Sequence, residues 1–162
     1  MLPFYYSCFI SPLGPMRIKA TENSIYEILF AEEASESDMH QPPVIAECIK
    51  QLEAYFSGQI RTFDVAVNPG GTPFQQAVWE QLRALPYGTT TTYLKLAELS
   101  GEAKNTRAIA GAIAKNPLAV LIPCHRVLGS NGSLTGYAWG LVRKQWLIDH
   151  EARCSGSYMK LF

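Results

Sequence analysis

The stretch Asn68-Pro69-Gly70-Gly71-Thr72-Pro73 constrains this chain most, because two prolines and two adjacent glycines can continue neither a helix nor a central strand. The residue pattern changes across it. Ahead of it, Phe4 to Ile10 is rich in aromatic and β-favouring residues, Ser11-Pro12-Leu13-Gly14-Pro15 is a turn, and Met16 to Ala20 alternates. Ile25 to Phe30 reads as a third strand after the Asn23-Ser24 turn. A helix is predicted from about Pro43 to Phe56, stopped by Gly58, with Cys48 in its apolar face, and Arg61 to Val67 alternates as a further strand. Beyond Pro73 the spacing becomes helical. Phe74, Ala77, Val78, Leu82 and Leu85 form one apolar stripe ending at Pro86, and Tyr93 to Leu99 forms a second helix behind four threonines. A third begins near Asn105 and stops at Pro117. The expectation is an α+β chain: a small N-terminal α/β domain over residues 1–72, then a helical domain over 73–162 with two short helices arranged as a helix-turn-helix.

Charge divides at the same point. The formal net charge is zero, yet residues 1–72 carry four Lys or Arg against nine Asp or Glu, whereas residues 73–162 carry ten against five. A basic half beside an acidic one is the footprint of a polyanion-binding domain, although an excess of this size identifies no ligand by itself. With 48% apolar and 17% charged residues the chain can build an ordinary core, and no apolar run approaches the roughly 20 residues of a membrane helix. The apolar start from Leu2 to Ile10 is broken by Pro3 and preceded by no basic residue, so it lacks a signal-peptide layout and a cytoplasmic location is expected. Cys8, Cys48, Cys124 and Cys154 lie far apart without a CxxC pair, and with His40 they show no zinc-ligand spacing; no metal is expected.

The third helix has an almost bare face. Arg107, Ala110, Gly111 and Ala114 share one stripe, while Ile109, Ala112 and Ile113 occupy a neighbouring stripe suited to a core. A mid-helix glycine costs about 1 kcal/mol relative to alanine, so close approach of another backbone is the usual compensation. That backbone is either a packed helix or nucleic acid, with Arg107 entering the base stack or meeting phosphate.

Downstream, Asn116-Pro117 precedes the apolar run Leu118 to Ile122 and then Pro123-Cys124-His125-Arg126-Val127. A cysteine becomes a nucleophile when neighbouring cations or a base favour its thiolate, and His125 and Arg126 stand next to it in sequence. The run Ile122 to Val127, preceded by Arg107-Ala108-Ile109-Ala110-Gly111-Ala112 and Asn116-Pro117, and followed by Gly136-Tyr137 and Lys144-Gln145-Trp146-Leu147, closely resembles the O6-alkylguanine-DNA alkyltransferases. The likeness is dense from Thr72 to Glu151 and looser in the N-terminal strands.

This resemblance implies a ribonuclease H-like N-terminal domain and a C-terminal domain that binds the minor groove through its helix-turn-helix. It implies repair of alkylated double-stranded DNA without a cofactor, by flipping the damaged nucleotide and moving its alkyl group, mainly methyl, from guanine O6 to Cys124. O4 of thymine is left open as a second target. Displacement at a saturated carbon suits a soft thiolate, and the resulting thioether has no facile hydrolytic exit, so each molecule acts once. By the same resemblance His125 is the base acting through water, Glu151 orients it, and Asn116 holds the active-site turn. Arg107 fills the gap in the stack, Tyr93 crowds the target phosphate and bonds the flipped base, and Ala110, Gly111 and Ala114 give the smooth face. Tyr137 is a pocket wall, backbone groups of Cys124, Val127 and Ala138 read the guanine edge, and Lys144 lies near the pocket. Trp139 departs from relatives with a small residue there, and is expected to narrow the pocket and favour methyl. A monomer is expected. Two other readings are a non-catalytic binder of alkylated DNA, which has no use for Cys124, and a Cys-His hydrolase, which has none for Arg107.

Overall fold

A computed structural model of the chain describes residues 2–101 and 103–156. These fall into two compact units. The described residues up to Gly70 join Pro117–Leu121 in one; Gly71–Asn116 and the described residues from Ile122 onward make the other.

The first unit is built on an antiparallel sheet in the order β1 (Tyr5–Ser11), β2 (Gly14–Ala20), β3 (Ile25–Phe30). Alternation along β2 buries Met16, Ile18 and Ala20 completely and leaves Arg17 exposed between them. Helix α1 (Pro43–Phe56) packs on all three strands, and its Ile45, Cys48, Leu52 and Tyr55 are fully buried at helical spacing. Both outer strands of the sheet are covered over part of their length. Along β1, Tyr6 N donates to Asp38 Oδ2 at 2.7 Å and Cys8 N to Ser37 Oγ at 3.1 Å, so a loop covers that side. Along β3, Ile25 N donates to Ala66 O, and Ile28 N to Pro117 O, both at 2.9 Å.

The expected strand from Arg61 to Val67 does not form; only Val67 makes an isolated bridge, to Ile25. The cause is a side chain. Gln51 of α1 accepts from Asp64 N at 3.0 Å and donates to the Asp64 carboxylate, so a helix residue holds the peptide group a neighbouring strand would have paired.

In the second unit α2 (Pro73–Arg83) starts at a capping box, in which Gln75 N donates to Thr72 Oγ1 at 3.1 Å and Thr72 N to Gln75 Oε1 at 3.0 Å. Thr92 caps α3 (Tyr93–Leu99) by accepting from Lys95 N at 3.1 Å. Helix α4 (Thr106–Ala114) begins after Asn105, although the Asn105 side chain makes no capping bond. Strand β4 (Thr91–Thr92) pairs in parallel with β5 (Val127–Leu128), and α5 (Leu141–Ser155) closes the unit. Helix α4 packs on both α2 and α3. Its union with α2 is fixed by a buried bond, Trp79 Nε1 donating to Ala112 O at 2.9 Å. No helix among the described residues is long and apolar enough to cross a membrane.

Replacing Trp79 with Phe keeps an aromatic ring but removes this donor and part of the buried bulk, while Ala112 O retains Lys115 N as a donor at 3.2 Å. The unfolding free energy from urea titration should fall by about 1–3 kcal/mol, a lost hydrogen bond together with the volume left empty.

Candidate active site

The chain reaches Cys124 by a tight path. Asn116 follows α4, and its Nδ2 donates to Ile122 O at 2.9 Å and to Cys124 Sγ at 3.2 Å, tying the reactive turn to the end of that helix. Cys124–Arg126 is a single 3-10 turn, with Arg126 N donating to Pro123 O at 3.0 Å. Because the sulfur is buried, its pKa is pushed up to about 11, against the opposing pull of the Asn116 bond and the Lys144 charge. The resting group is therefore a thiol. A base has to take its proton as it reacts.

His125 has the arrangement of such a base. It is fully buried, and its Nε2 lies 2.7 Å from Glu151 Oε2. Burial would raise the Glu151 carboxyl, but hydrogen bonds and charge from His125 and Arg126 hold it well below the carboxylate range, so it is ionised. An ionised carboxylate can only accept; Nε2 must carry the hydrogen. Burial also pulls the imidazole below its ordinary value of 6.5, which keeps the ring neutral and leaves the Nδ1 lone pair bare. Nδ1 is buried and has no hydrogen-bond partner among the described residues.

Arg126 does not lend its charge to the thiol, as adjacency in sequence suggested. Its Nε donates to Glu151 Oε1 at 2.7 Å, Nη2 to Glu151 Oε2 at 3.0 Å and Nη1 to Leu85 O at 2.7 Å. The guanidinium is turned to the carboxylate because that pairing satisfies two buried charges at once. Gly88 N adds a further donor to Glu151 Oε1 at 3.3 Å. Sequence reasoning missed Arg126 and Gly88 as partners of Glu151; only the placing of Arg126 two residues after the cysteine hinted at the first.

Cys124 opens into a cavity of about 340 Å3. Tyr93, Ala110, Ile113 and Ala114 of α3 and α4 line one part of it, and Gly136, Tyr137 and Ala138 another. The other expected pocket residues stand behind the lining. Trp139 does not line the cavity; its ring meets Tyr137 edge-on with centroids 5.3 Å apart. Lys144, fully buried on α5, donates through Nζ to Thr135 O at 2.7 Å and Gly136 O at 2.9 Å, holding the wall from behind. Val127 is fully buried in β5, so only its backbone is placed to take part. Tyr93 Oη donates to the same two carbonyls at 3.5 Å, and burial raises its pKa, as would a negative charge on Cys124 when the sulfur ionises, so it remains a donor.

Sharing Tyr93 and Ala110 with this cavity is an open groove of about 660 Å3, also lined by Lys104, Thr106, Arg107 and Ser130. Arg107, Gly111 and Ala114 are exposed and Ala110 half-buried. Among the described residues, a Cβ built on Gly111 meets no heavy atom within 4 Å, so no helix among them packs against this side of α4.

Residues 73–153 match the DNA binding domain of the 6-O-methylguanine DNA methyltransferases, and residues 4–69 match their ribonuclease-like domain. A methylated-DNA–protein-cysteine methyltransferase of Methanosarcina acetivorans is 41% identical over 155 residues, 93% of this chain and 99% of the relative. One of Mycobacterium tuberculosis is 36% identical over 162 residues, 98% of each. The crystal structure of the Mycobacterium tuberculosis O6-methylguanine methyltransferase superposes with a TM-score of 0.83 at 34% identity, covering 93% of this chain and 94% of that one. The structure of the Mycobacterium tuberculosis OGT in complex with DNA gives 0.83 at 36% identity, covering 92% and 93%. Fold, thiol and matched segments agree: this chain belongs to the 6-O-methylguanine DNA methyltransferase family.

Proposed function

We propose that the protein repairs alkylated double-stranded DNA by moving the alkyl group of an O6-alkylguanine onto Cys124, once per molecule. The observation that carries this reading is a buried thiol opening into a cavity, followed in sequence by a neutral imidazole whose free nitrogen is Nδ1. A hydrolase would use the same pair, but the bare face of α4 and the groove beside it have no place in hydrolysis.

The chemistry follows from the atoms. His125 Nδ1 takes the thiol proton through a water while Glu151 fixes Nε2–H and stabilises the imidazolium. The sulfur forms a bond to the alkyl carbon as the carbon–O6 bond breaks, and its electron pair leaves on the guanine, which a proton donor then neutralises. Tyr93, kept as a phenol, is the donor we assign. With α3 and α4 acting as a helix-turn-helix in the minor groove, Ala110, Gly111 and Ala114 allow close approach and Arg107 fills the vacated stack. Unstacking costs a few kcal/mol, which that side chain and the cavity contacts must offset. All these residues lie within 73–162, to which we assign DNA binding and transfer, with residues 1–72 as the accompanying domain. A monomer in the cytoplasm suits single-use chemistry on one nucleotide.

Incubation with a duplex containing O6-methylguanine should add one methylene mass per protein, located on Cys124, and Cys124→Ala should bind the duplex without gaining mass. Unchanged mass with retained binding would instead favour a non-catalytic binder. Gly111→Ala should stabilise the fold by up to about 1 kcal/mol through helix propensity and yet weaken duplex affinity, because the open side is where the groove sits. If affinity holds, that face does not meet DNA.

Glu151→Gln leaves the Arg126 charge buried without its partner. Unfolding titrations should show a loss of about 3–5 kcal/mol, and single-turnover transfer should slow by roughly a hundredfold or more. In the wild type, Glu151 and His125 both have lowered folded-state pKa values, so in each case the unfolded chain takes up protons first on acidification. Stability should therefore decline below the ordinary histidine value of 6.5 and again below the ordinary carboxyl value of 4.5, readable as a falling Tm.

A further inference from the structure

One wall of the alkyl cavity is not held by its polar tip. The Tyr137 hydroxyl is buried and has no hydrogen-bond partner among the described residues. Its ring must be set by what packs on it. Trp139 stands edge-on at 72° with centroids 5.3 Å apart, outside the lining, and thus serves as a buttress. Both rings ride on a short segment between Gly136 and Gly140, whose φ values of 58° and 94° lie in the region glycine adopts without strain. Glycines at both ends leave the segment free to pivot unless its peptide groups are tied.

Two neighbouring residues of α5 tie them. Lys144 holds Thr135 O and Gly136 O at the front of the segment, and Arg143 Nη1 donates to Trp139 O at 3.1 Å at the rear. Cations at the start of a helix oppose its dipole, where acidic side chains are usual and α5 has none. Three carbonyl acceptors offset that opposition. We propose that Arg143 is a positioning residue that sets the size of alkyl group the cavity accepts, by fixing the Trp139 carbonyl and, through Trp139, the ring of Tyr137. Guanidinium to carbonyl to indole to phenol is a single chain of contacts, and it ends on the cavity. The proposal rests on the alkyl-transfer reading above.

The test compares single-turnover rate constants on two duplexes that differ only in carrying O6-methylguanine or O6-benzylguanine. Arg143→Met keeps an unbranched apolar stem and removes the donors. It should raise the benzyl-to-methyl rate ratio by about tenfold, the scale on which a pocket discriminates a few carbon atoms. Arg143→Lys, which retains a donor, should return most of the way to the wild-type ratio. Trp139→Ala should raise the ratio likewise, and the double variant should add less than about twofold more, since both act on one chain of contacts. If both rates fall in common proportion, Arg143 supports the fold alone and the proposal is overturned. Should Arg143→Met fail to fold, an unchanged ratio in Trp139→Ala overturns it equally. A wild-type chain that gains mass but shows no variant shift sinks only the latch; one that gains no mass from either duplex sinks the transfer reading and the latch with it.

Discussion

The site depends on the ionised carboxylate of Glu151. Without a permanent cation beside it, a carboxyl only 1% exposed would protonate, become a donor, and lose its hold on the imidazole tautomer. Arg126 supplies that cation through two hydrogen bonds. From this pairing follow the neutral ring, the hydrogen on Nε2 and the bare Nδ1. The same carboxylate accepts from Gly88 N, and the same guanidinium donates to Leu85 O, so the turn between α2 and β4 is fastened to the reacting centre by the charges that tune it.

A nucleophile used once is best kept quiet until its target arrives. Burial holds the Cys124 thiol protonated, and protonated thiols react slowly with oxidants and stray electrophiles. The Asn116 bond and the Lys144 charge pull the other way without prevailing, so they ease ionisation during the reaction while the resting state remains unreactive.

Much of the fold was legible because it obeys local rules. The bounds of β3 and α1 match the reading from alternation and apolar spacing, and Thr92 caps α3 as a threonine ahead of a helix should. The segment from Arg61 to Val67 misled, since its alternation is that of a strand while the Asp64 peptide N–H is taken by the Gln51 side chain of the preceding helix. Among the site residues, the order around Cys124 was readable through the motif. The direction of Arg126 and the burial of Lys144 were not: a charged residue on a helix looks solvated until the three-dimensional contacts around it are known. The place of Trp139 behind the lining was hidden for a related reason. Its bulk is visible in the letters, but which side of Tyr137 it takes depends on how the segment between two glycines is tied.

The first unit includes Pro117–Leu121, whose peptide groups bridge to Ile28 on the outer strand of its sheet. Synthesis runs from the N-terminus, and a ribosome that has delivered only the first seventy or so residues has not yet made the piece that finishes this edge. The outward N–H and C=O of Ile28 must wait for their partners until nearly fifty more residues, the whole of α2, α3 and α4, have emerged. The earlier-made unit is thereby completed only by a segment that interrupts the later one in sequence, and whose emergence brings the reactive cysteine out directly behind it.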